Sequence, residues 1–168
     1  MAYEQFPREE VPVSEPPRKP LVVAHSAEEW RQLFGAAGVA TAATIGNFDG
    51  VHTGHRKILE DVAQRAHQSH WMPAVLTFDP HPAKILRPDA APLQIETLAQ
   101  RLEGFSRFGI EAALVLPFTL ELAQVSARDF LSDLIDCVLR ALAGGDRHGT
   151  GARRGIVGDQ FCVDTEKH

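Results

Sequence analysis

Residues 46–55 have the sequence GNFDGVHTGH and lie between two segments of different character. The residues before them, 39–45, are small, apolar and partly β-branched, which predicts a buried strand. After them, from about Gly54 to His70, apolar residues recur at helical spacing, namely Ile58, Leu59, Val62 and Ala66. The decapeptide is therefore predicted to join a strand to a helix. In parallel α/β sheets this is a place where ligands bind.

The rest of the chain repeats this alternation of strand and helix. Further strands are predicted at residues 21–23, 74–78 and 112–116. The remaining helices are predicted at 26–34, 97–108 and 126–142, because they begin at a serine with an acidic residue three positions later or end at a glycine. Ile156 and Val157 are one more possible strand. The pattern predicts an α/β fold with a parallel sheet.

Composition excludes several classes of protein. The 168 residues are 44% hydrophobic and 23% charged, with a formal net charge of -5, as is ordinary for one globular domain. No apolar run reaches the about 18 residues of a membrane span, and the acidic balance argues against nucleic acid as a partner. The first ten residues lack the basic and apolar regions of a signal peptide. Cys137 and Cys162 are therefore expected to be free thiols in the cytoplasm.

The two ends of the chain differ from the predicted domain at residues 21–161. Residues 1–20 contain five prolines and four glutamates without apolar periodicity, which predicts a disordered tail. Residues 143–155 contain five glycines and three arginines, and residues 162–168 are expected to be unstructured. Nothing in the sequence determines the oligomeric state.

The chemistry of the decapeptide points to a phosphate group. His52 and His55 lie three positions apart at the start of the predicted helix, and hence on one face of it. Free N–H groups and the positive end of the helix dipole favour a phosphate there, and imidazole adds further donors. Gly46 and Gly50 allow tight turns, and Gly54 allows a phosphate to approach closely.

The decapeptide resembles the H-x-G-H signature of the nucleotidylyltransferase superfamily. In its longer form, GNFDGVHxGH, it resembles the FAD synthetase module of bacterial bifunctional riboflavin kinase/FAD synthetase. Three more segments resemble that family in the same order: TFDPHP at 77–82, LPF…ELA…SAxDF at 116–130 and VGDQF at 157–161. The resemblance covers about residues 21–142 and 156–161. It implies a Rossmann-like parallel sheet and the transfer of AMP from ATP to FMN, which gives FAD and pyrophosphate.

The resemblance also implies roles for individual residues. His52 and His55 would contact the ATP phosphates and stabilise the transition state. The other implied substrate-binding residues are Gly46, Asn47, Phe48, Asp49 and Gly54 around the nucleotide, Asp79, Pro80, His81 and Pro82 near the flavin, and Gln160, which replaces a family Asn or Asp. No residue is implied as a metal ligand, and Mg²⁺ is expected together with the nucleotide phosphates.

Two parts of the family pattern are missing after Phe161. Family members carry an I-S-S-T-x-x-R motif that grips the triphosphate, followed by a riboflavin kinase domain, and residues 162–168 contain neither. Loss of a phosphate-clamping arginine costs on the order of 10²–10³ in rate. The expectation is therefore an incomplete adenylyltransferase of low activity. Two alternatives stay open: an adenylyl- or cytidylyltransferase for another phosphorylated acceptor, and a non-catalytic module that binds nucleotide or flavin.

Several polar residues also have simpler interpretations. His67 and His70 are again three positions apart, but a zinc site needs two more ligands and none has the required spacing. These two histidines are expected to suit the C-terminus of their helix. Asp49 either caps its own loop or contacts substrate. Arg56 and Lys57 either reach a phosphate or lie on the helix surface.

Overall fold

The structure is a computed structural model that describes residues 19–35, 39–50 and 53–134. Four strands form one sheet in the order β1-β4-β3-β2. The strands are β1 (Val22–Ala24), β2 (Thr41–Ile45), β3 (Met72–Phe78) and β4 (Ala112–Leu116). All neighbouring strands are parallel, so the predicted α/β fold with a parallel sheet is confirmed.

Helices connect the strands and follow the last one. They are α1 (Ala27–Trp30), which continues as a turn of π-helix (Arg31–Gly35), α2 (Thr53–Gln68), α3 (Pro82–Leu86), a 3₁₀ turn (Pro88–Ala90), α4 (Leu98–Arg107), α5 (Leu120–Gln124) and α6 (Ala127–Leu134). Helix α2 begins eight residues after the end of β2, and its N-terminus lies at the carboxyl edge of the sheet.

The boundaries of the helices follow from local polar residues. The Ser26 side chain accepts the Glu29 N–H at 3.0 Å at the start of α1. Thr97 and Gln100 form a complete capping box at the start of α4, which satisfies two backbone groups that the helix itself leaves unpaired. Gly109 has a φ of 82° directly after α4, a conformation that glycine adopts without strain. These predicted boundaries are confirmed.

The sheet is buried on both faces. Alternate residues of β3 contribute to two separate apolar clusters, as expected for a strand with helices on either side. One cluster contains Trp30, Phe34, Leu76, Phe78 and Leu114, with Phe118 and Phe130 partly buried against it. The other contains Phe48, Leu59, Val62, Val75 and Phe105, with Phe108 partly buried. Phe105 is thus a core residue, and Phe108, Phe118 and Phe130 pack against the two clusters.

Some elements differ from the prediction or lie beyond it. The five-residue helices α3 and α5 and the 3₁₀ turn were not expected from the sequence. The long helix predicted at 126–142 begins at Ala127 and is described to Leu134. Its remainder, both cysteines, the possible strand at 156–157 and the predicted N-terminal tail up to residue 18 lie outside the described residues. Within the described ranges, none of the helices is long and apolar enough to cross a membrane.

Candidate active site

Two of the segments that resemble family motifs meet at the carboxyl edge of the sheet. Residues 46–50 follow β2, residues 79–82 follow β3, and these two strands are neighbours. Backbone hydrogen bonds extend the pairing past the strand ends: the Gly46 N–H donates to the Leu76 carbonyl at 3.0 Å, and the Asp79 N–H donates to the Leu116 carbonyl at 3.0 Å. The two segments therefore lie side by side at the edge where parallel sheets commonly bind ligands.

His55 lies in the first turn of α2, as its third residue. Its ring is partly buried and meets the Phe48 ring edge-on, with 5.2 Å between the ring centroids. The positive end of a helix of 16 residues lies beside it. His52, the other histidine of the motif, lies outside the described residues.

The position of the Phe48 ring accounts for the glycine at position 46. The Phe48 ring is 2% exposed and packs edge-on against Phe105, with 5.4 Å between the ring centroids. A Cβ at Gly46 would lie only 3.0 Å from Cε2 of this ring, a distance that requires the neighbour to move. The packing of Phe48 thus leaves little room for a side chain at position 46. The aromatic ring of the motif lies in the core beneath the loop, between His55 and Phe105.

A buried arginine that belongs to none of the motifs holds the two segments together. Arg101 of α4 is 0% exposed. Its Nη1 lies 2.8 Å from the Asn47 carbonyl oxygen, 3.2 Å from Thr77 Oγ1 and 3.2 Å from the Phe78 carbonyl oxygen. Its Nη2 lies 3.2 Å from Oδ1 of Asp79, whose side chain is 42% exposed. A buried charge needs such pairing to be tolerated.

Asp49 anchors a segment that is distant in sequence. Its two carboxylate oxygens accept the Ile95 N–H at 3.1 and 3.2 Å, and Oδ1 accepts the Glu96 N–H at 3.0 Å. These N–H groups lie 46 and 47 residues further along the chain, just before α4. In the described structure, the Asp49 carboxylate therefore does not cap its own loop. It binds the backbone of residues 95–96 instead. Gly50, with a φ of 60°, packs closely beneath the Ile95 side chain.

Replacement of Asp49 by alanine is expected to lower the free energy of unfolding by about 1–3 kcal/mol, because two backbone N–H groups lose a charged acceptor. Urea unfolding of the purified chain measures this change. Asp89→Ala is the matched control, since Asp89 is exposed on the 3₁₀ turn and is expected to change stability by less than about 0.5 kcal/mol. Equal unfolding midpoints for the two variants would contradict the anchoring role.

His81 caps a short helix beside the other motif segment. Its Nδ1 accepts the Ala83 N–H at 3.1 Å, and Pro82 is the first residue of α3. The Asp79–Pro80 peptide bond that precedes it is cis. Burial lowers the pKa of the His81 imidazole below 6.5; the negative charge of Asp49 opposes this shift, and the positive charges of Arg101 and Lys84 add to it. Because Nδ1 is the acceptor, the neutral ring carries its proton on Nε2.

The lowered pKa of His81 predicts a dependence of stability on pH. An unfolded histidine binds its proton near pH 6.5 and folded His81 only at lower pH, so stability rises with pH across that interval and is lost as the pH falls. His81→Asn keeps a capping acceptor but cannot titrate. Thermal unfolding between about pH 7 and pH 5 is expected to show a smaller fall in stability for this variant than for wild type. His25→Asn, at an exposed histidine, should keep the wild-type fall, and the same fall in both variants would refute the prediction.

The remaining polar residues and glycines that the sequence analysis named lie mostly along helix α2. Gly54 is the exposed second residue of α2, and Gln160 lies outside the described residues. Arg56 pairs with Glu60 at 2.8 Å along the helix, and its guanidinium lies 5.6 Å from the centroid of the Phe108 ring. His67 lies 3.6 Å from Glu111. In the part of the chain that the structure describes, no three His, Cys, Asp or Glu side chains are grouped to hold a metal ion.

Comparison with known proteins identifies a family that covers most of this chain. The sequence model of the family described as FAD synthetase matches residues 36–160. The bifunctional riboflavin kinase/FMN adenylyltransferase of Escherichia coli (strain K12) is 35% identical over 113 residues, which are 66% of this chain and 36% of that protein. The protein of the same name from Bacillus subtilis (strain 168) is 32% identical over 134 residues, 73% of this chain and 42% of that protein.

A likeness in structure adds information about the fold alone. A crystal structure described as a macrolide-efflux protein from Streptococcus pneumoniae matches with a TM-score of 0.57 and 21% identity, over 74% of this chain and 39% of that one. The chain spans little more than a third of the length of the Escherichia coli relative. The family match nevertheless covers most of the chain and includes every described motif segment at the carboxyl edge. This chain therefore belongs to the FAD synthetase family.

Proposed function

We propose that the site transfers AMP from ATP to FMN and releases pyrophosphate. The observation that carries this proposal is the adjacency of two motif segments, residues 46–50 and 79–82, at the carboxyl edge of the sheet, with the first leading to the N-terminus of α2. The relatives named as FMN adenylyltransferases support it. The proposal includes small-molecule substrates. It also places the protein in the cytoplasm, where thiols stay reduced.

The proposed reaction is an in-line displacement at phosphorus. An oxygen of the FMN phosphate forms a bond to the α-phosphorus of ATP. The bond between that phosphorus and the oxygen bridging to the β-phosphate breaks, and pyrophosphate leaves with the electron pair. Such a displacement requires little covalent chemistry from the protein, and depends on alignment and on stabilisation of the charge on the phosphates.

The residues of the site suit these two tasks. We assign His55 and His52 to donate hydrogen bonds to the ATP phosphates, where charge develops. The first turn of α2 adds N–H groups and the positive end of the helix dipole. The remaining assignments are Gly46, Asn47, Phe48, Asp49 and Gly54 for the nucleotide side, Asp79, Pro80, His81 and Pro82 for the flavin side, and Gln160 near both substrates.

Two of the assigned residues support the site and are not assigned to contact substrate directly. Phe48 and Asp49 serve the nucleotide side indirectly, since the first supports His55 from below and the second fixes the loop to residues 95–96. Mg²⁺ is proposed to enter with ATP as part of the substrate. Such an ion is held mainly by phosphates and water, and at the nucleotide it neutralises phosphate charge.

The identity of the acceptor tests the proposal against its alternatives. Pyrophosphate release is measured with ATP, and separately with CTP, in the presence of FMN, riboflavin, phosphocholine or 4′-phosphopantetheine. Pyrophosphate release is expected only when ATP is combined with FMN. Riboflavin should give no release, because it lacks the attacking phosphate. Release with another phosphorylated acceptor would instead favour a different nucleotidylyltransferase. Binding of ATP and FMN by calorimetry without any release would favour a non-catalytic module.

A further inference from the structure

Arg101 is the one charged side chain that is fully buried among the residues the structure describes. It lies on α4, 54 residues from Asn47 and 22 from Asp79, and it belongs to no motif segment. The same helix face is otherwise apolar, with Phe105 fully buried and Leu102 partly buried in the same cluster. A charge in such a stripe calls for an explanation beyond packing.

Stability alone is a poor explanation for this arginine. Burial of a charge is expensive, and apolar residues of similar volume are often as stabilising as a buried ion pair. The Nε–H of Arg101 has no acceptor among the described residues, so these residues do not satisfy every donor of the guanidinium. The Asp79 carboxylate, its only charged hydrogen-bond partner among the same residues, is 42% exposed and is therefore partly screened by water.

The partners of Arg101 are divided between two neighbouring stretches of the chain, residues 46–50 and 77–82. One partner, the Asn47 carbonyl, belongs to the loop that leads to α2; the others, Thr77, Phe78 and Asp79, lie at the end of β3. Thr77 Oγ1 closes the arrangement, because it donates to the same Asn47 carbonyl at 3.2 Å. A planar guanidinium can bridge several acceptors in fixed directions, whereas an ammonium group is a single point charge on a flexible stem.

We propose that Arg101 is a positioning residue that sets the separation between residues 46–50 and 77–82 and holds the Asp79 carboxylate, which stays 42% exposed, in place beside them. Its effect on catalysis rests on the proposed function, while its effect on the two segments does not. Because ATP is assigned to the first segment and FMN to the second, loss of Arg101 misaligns two bound substrates. The turnover number kcat should then fall more than either KM rises.

Hydrogen exchange of the full chain, followed by mass spectrometry, tests the positioning role without any need for activity. In Arg101→Met, the amide hydrogens of residues 46–50 and 77–82 are expected to exchange at least about tenfold faster than in wild type. The exchange rates of residues 41–45 should change little. Leu102→Ala is the matched control on the same helix, since it removes packing but touches neither segment through a hydrogen bond in the described structure. Equal acceleration in both variants, or none in Arg101→Met, would overturn the proposal.

A milder variant covers the case in which Arg101→Met does not fold. Thr77→Val removes one acceptor of the guanidinium and the donor to Asn47, with little change of volume. It is expected to accelerate exchange in the same two segments by about threefold, corresponding to the loss of ordinary hydrogen bonds. Unchanged exchange in a folded Thr77→Val chain would contradict the arrangement described above.

Kinetics of FAD formation test the catalytic part. Arg101→Met is expected to lower kcat per folded molecule by about 10–100-fold, with both KM values within about threefold of wild type. Arg101→Lys should recover only part of the loss, because it restores the charge without the fork. Leu102→Ala should keep the wild-type kcat. A normal kcat in Arg101→Met would refute the catalytic part, whereas a wild-type chain without activity would refute the proposed function and leave the exchange result to decide the positioning role.

Discussion

A chain with His55→Ala is expected to form FAD about 10²–10³-fold more slowly than wild type, the loss that follows removal of one preorganised donor to a developing charge. His55 occupies the first turn of α2, and its ring rests against Phe48. These contacts hold its imidazole at the start of the helix, where the proposed function places the ATP phosphates. Initial rates of FAD formation at saturating ATP and FMN, followed by chromatography, measure the effect.

The other end of the same helix supplies the control. His67 is exposed near the end of α2, 3.6 Å from Glu111, and His67→Ala is expected to change the rate by less than about twofold. Both variants should unfold at nearly the wild-type temperature. A rate for His55→Ala close to that of His67→Ala would remove His55 from the catalytic residues.

Phe48→Ala is expected to lower the free energy of unfolding by about 3–5 kcal/mol, as for other fully buried phenylalanines. The ring is 2% exposed and contacts both Phe105 and His55, so its removal leaves a cavity beneath the loop. Guanidinium chloride unfolding monitored by circular dichroism measures the loss. The surviving folded molecules should also be less active, since His55 loses its support.

Phe118→Ala makes the same chemical change at a partly buried ring on the opposite face of the sheet. A smaller loss of stability is expected there, because less apolar surface leaves the core. If Phe48→Ala proved the milder of the two, the Phe48 ring would not be a core residue. The direct contact with nucleotide implied by the family resemblance would then be the better account of this position.

The fold was largely predictable because its signals are local. Apolar runs defined the two central strands, and the boundaries at Ser26 and Gly109 follow from the hydrogen-bonding groups and conformations of single residues. Helices α3 and α5 escaped prediction because each has five residues, too few to show a helical period. The predicted domain limits at residues 21 and 161 stay predictions.

The candidate site was predictable only in part. Parallel strands bring their carboxyl ends to one edge, which places residues 46–50 beside 79–82 without knowledge of any long-range contact. The attachment of Asp49 to residues 95–96 had no signal in the sequence, because 46 residues separate the partners. Arg101 did have a signal, since a charge three positions after Leu98 and four before Phe105 lies on an apolar face. The roles of His52 and Gln160 rest on the sequence alone.

Formation of FAD from FMN, ATP and Mg²⁺, resolved by chromatography, tests the central claim most directly. Wild-type chain is expected to yield FAD and pyrophosphate in equal amounts, and a His52→Ala chain to yield FAD at least about 10²-fold more slowly. Circular dichroism of both samples establishes that they are folded. A folded wild-type chain that binds ATP and FMN but forms no FAD would contradict the claim that this polypeptide is an adenylyltransferase.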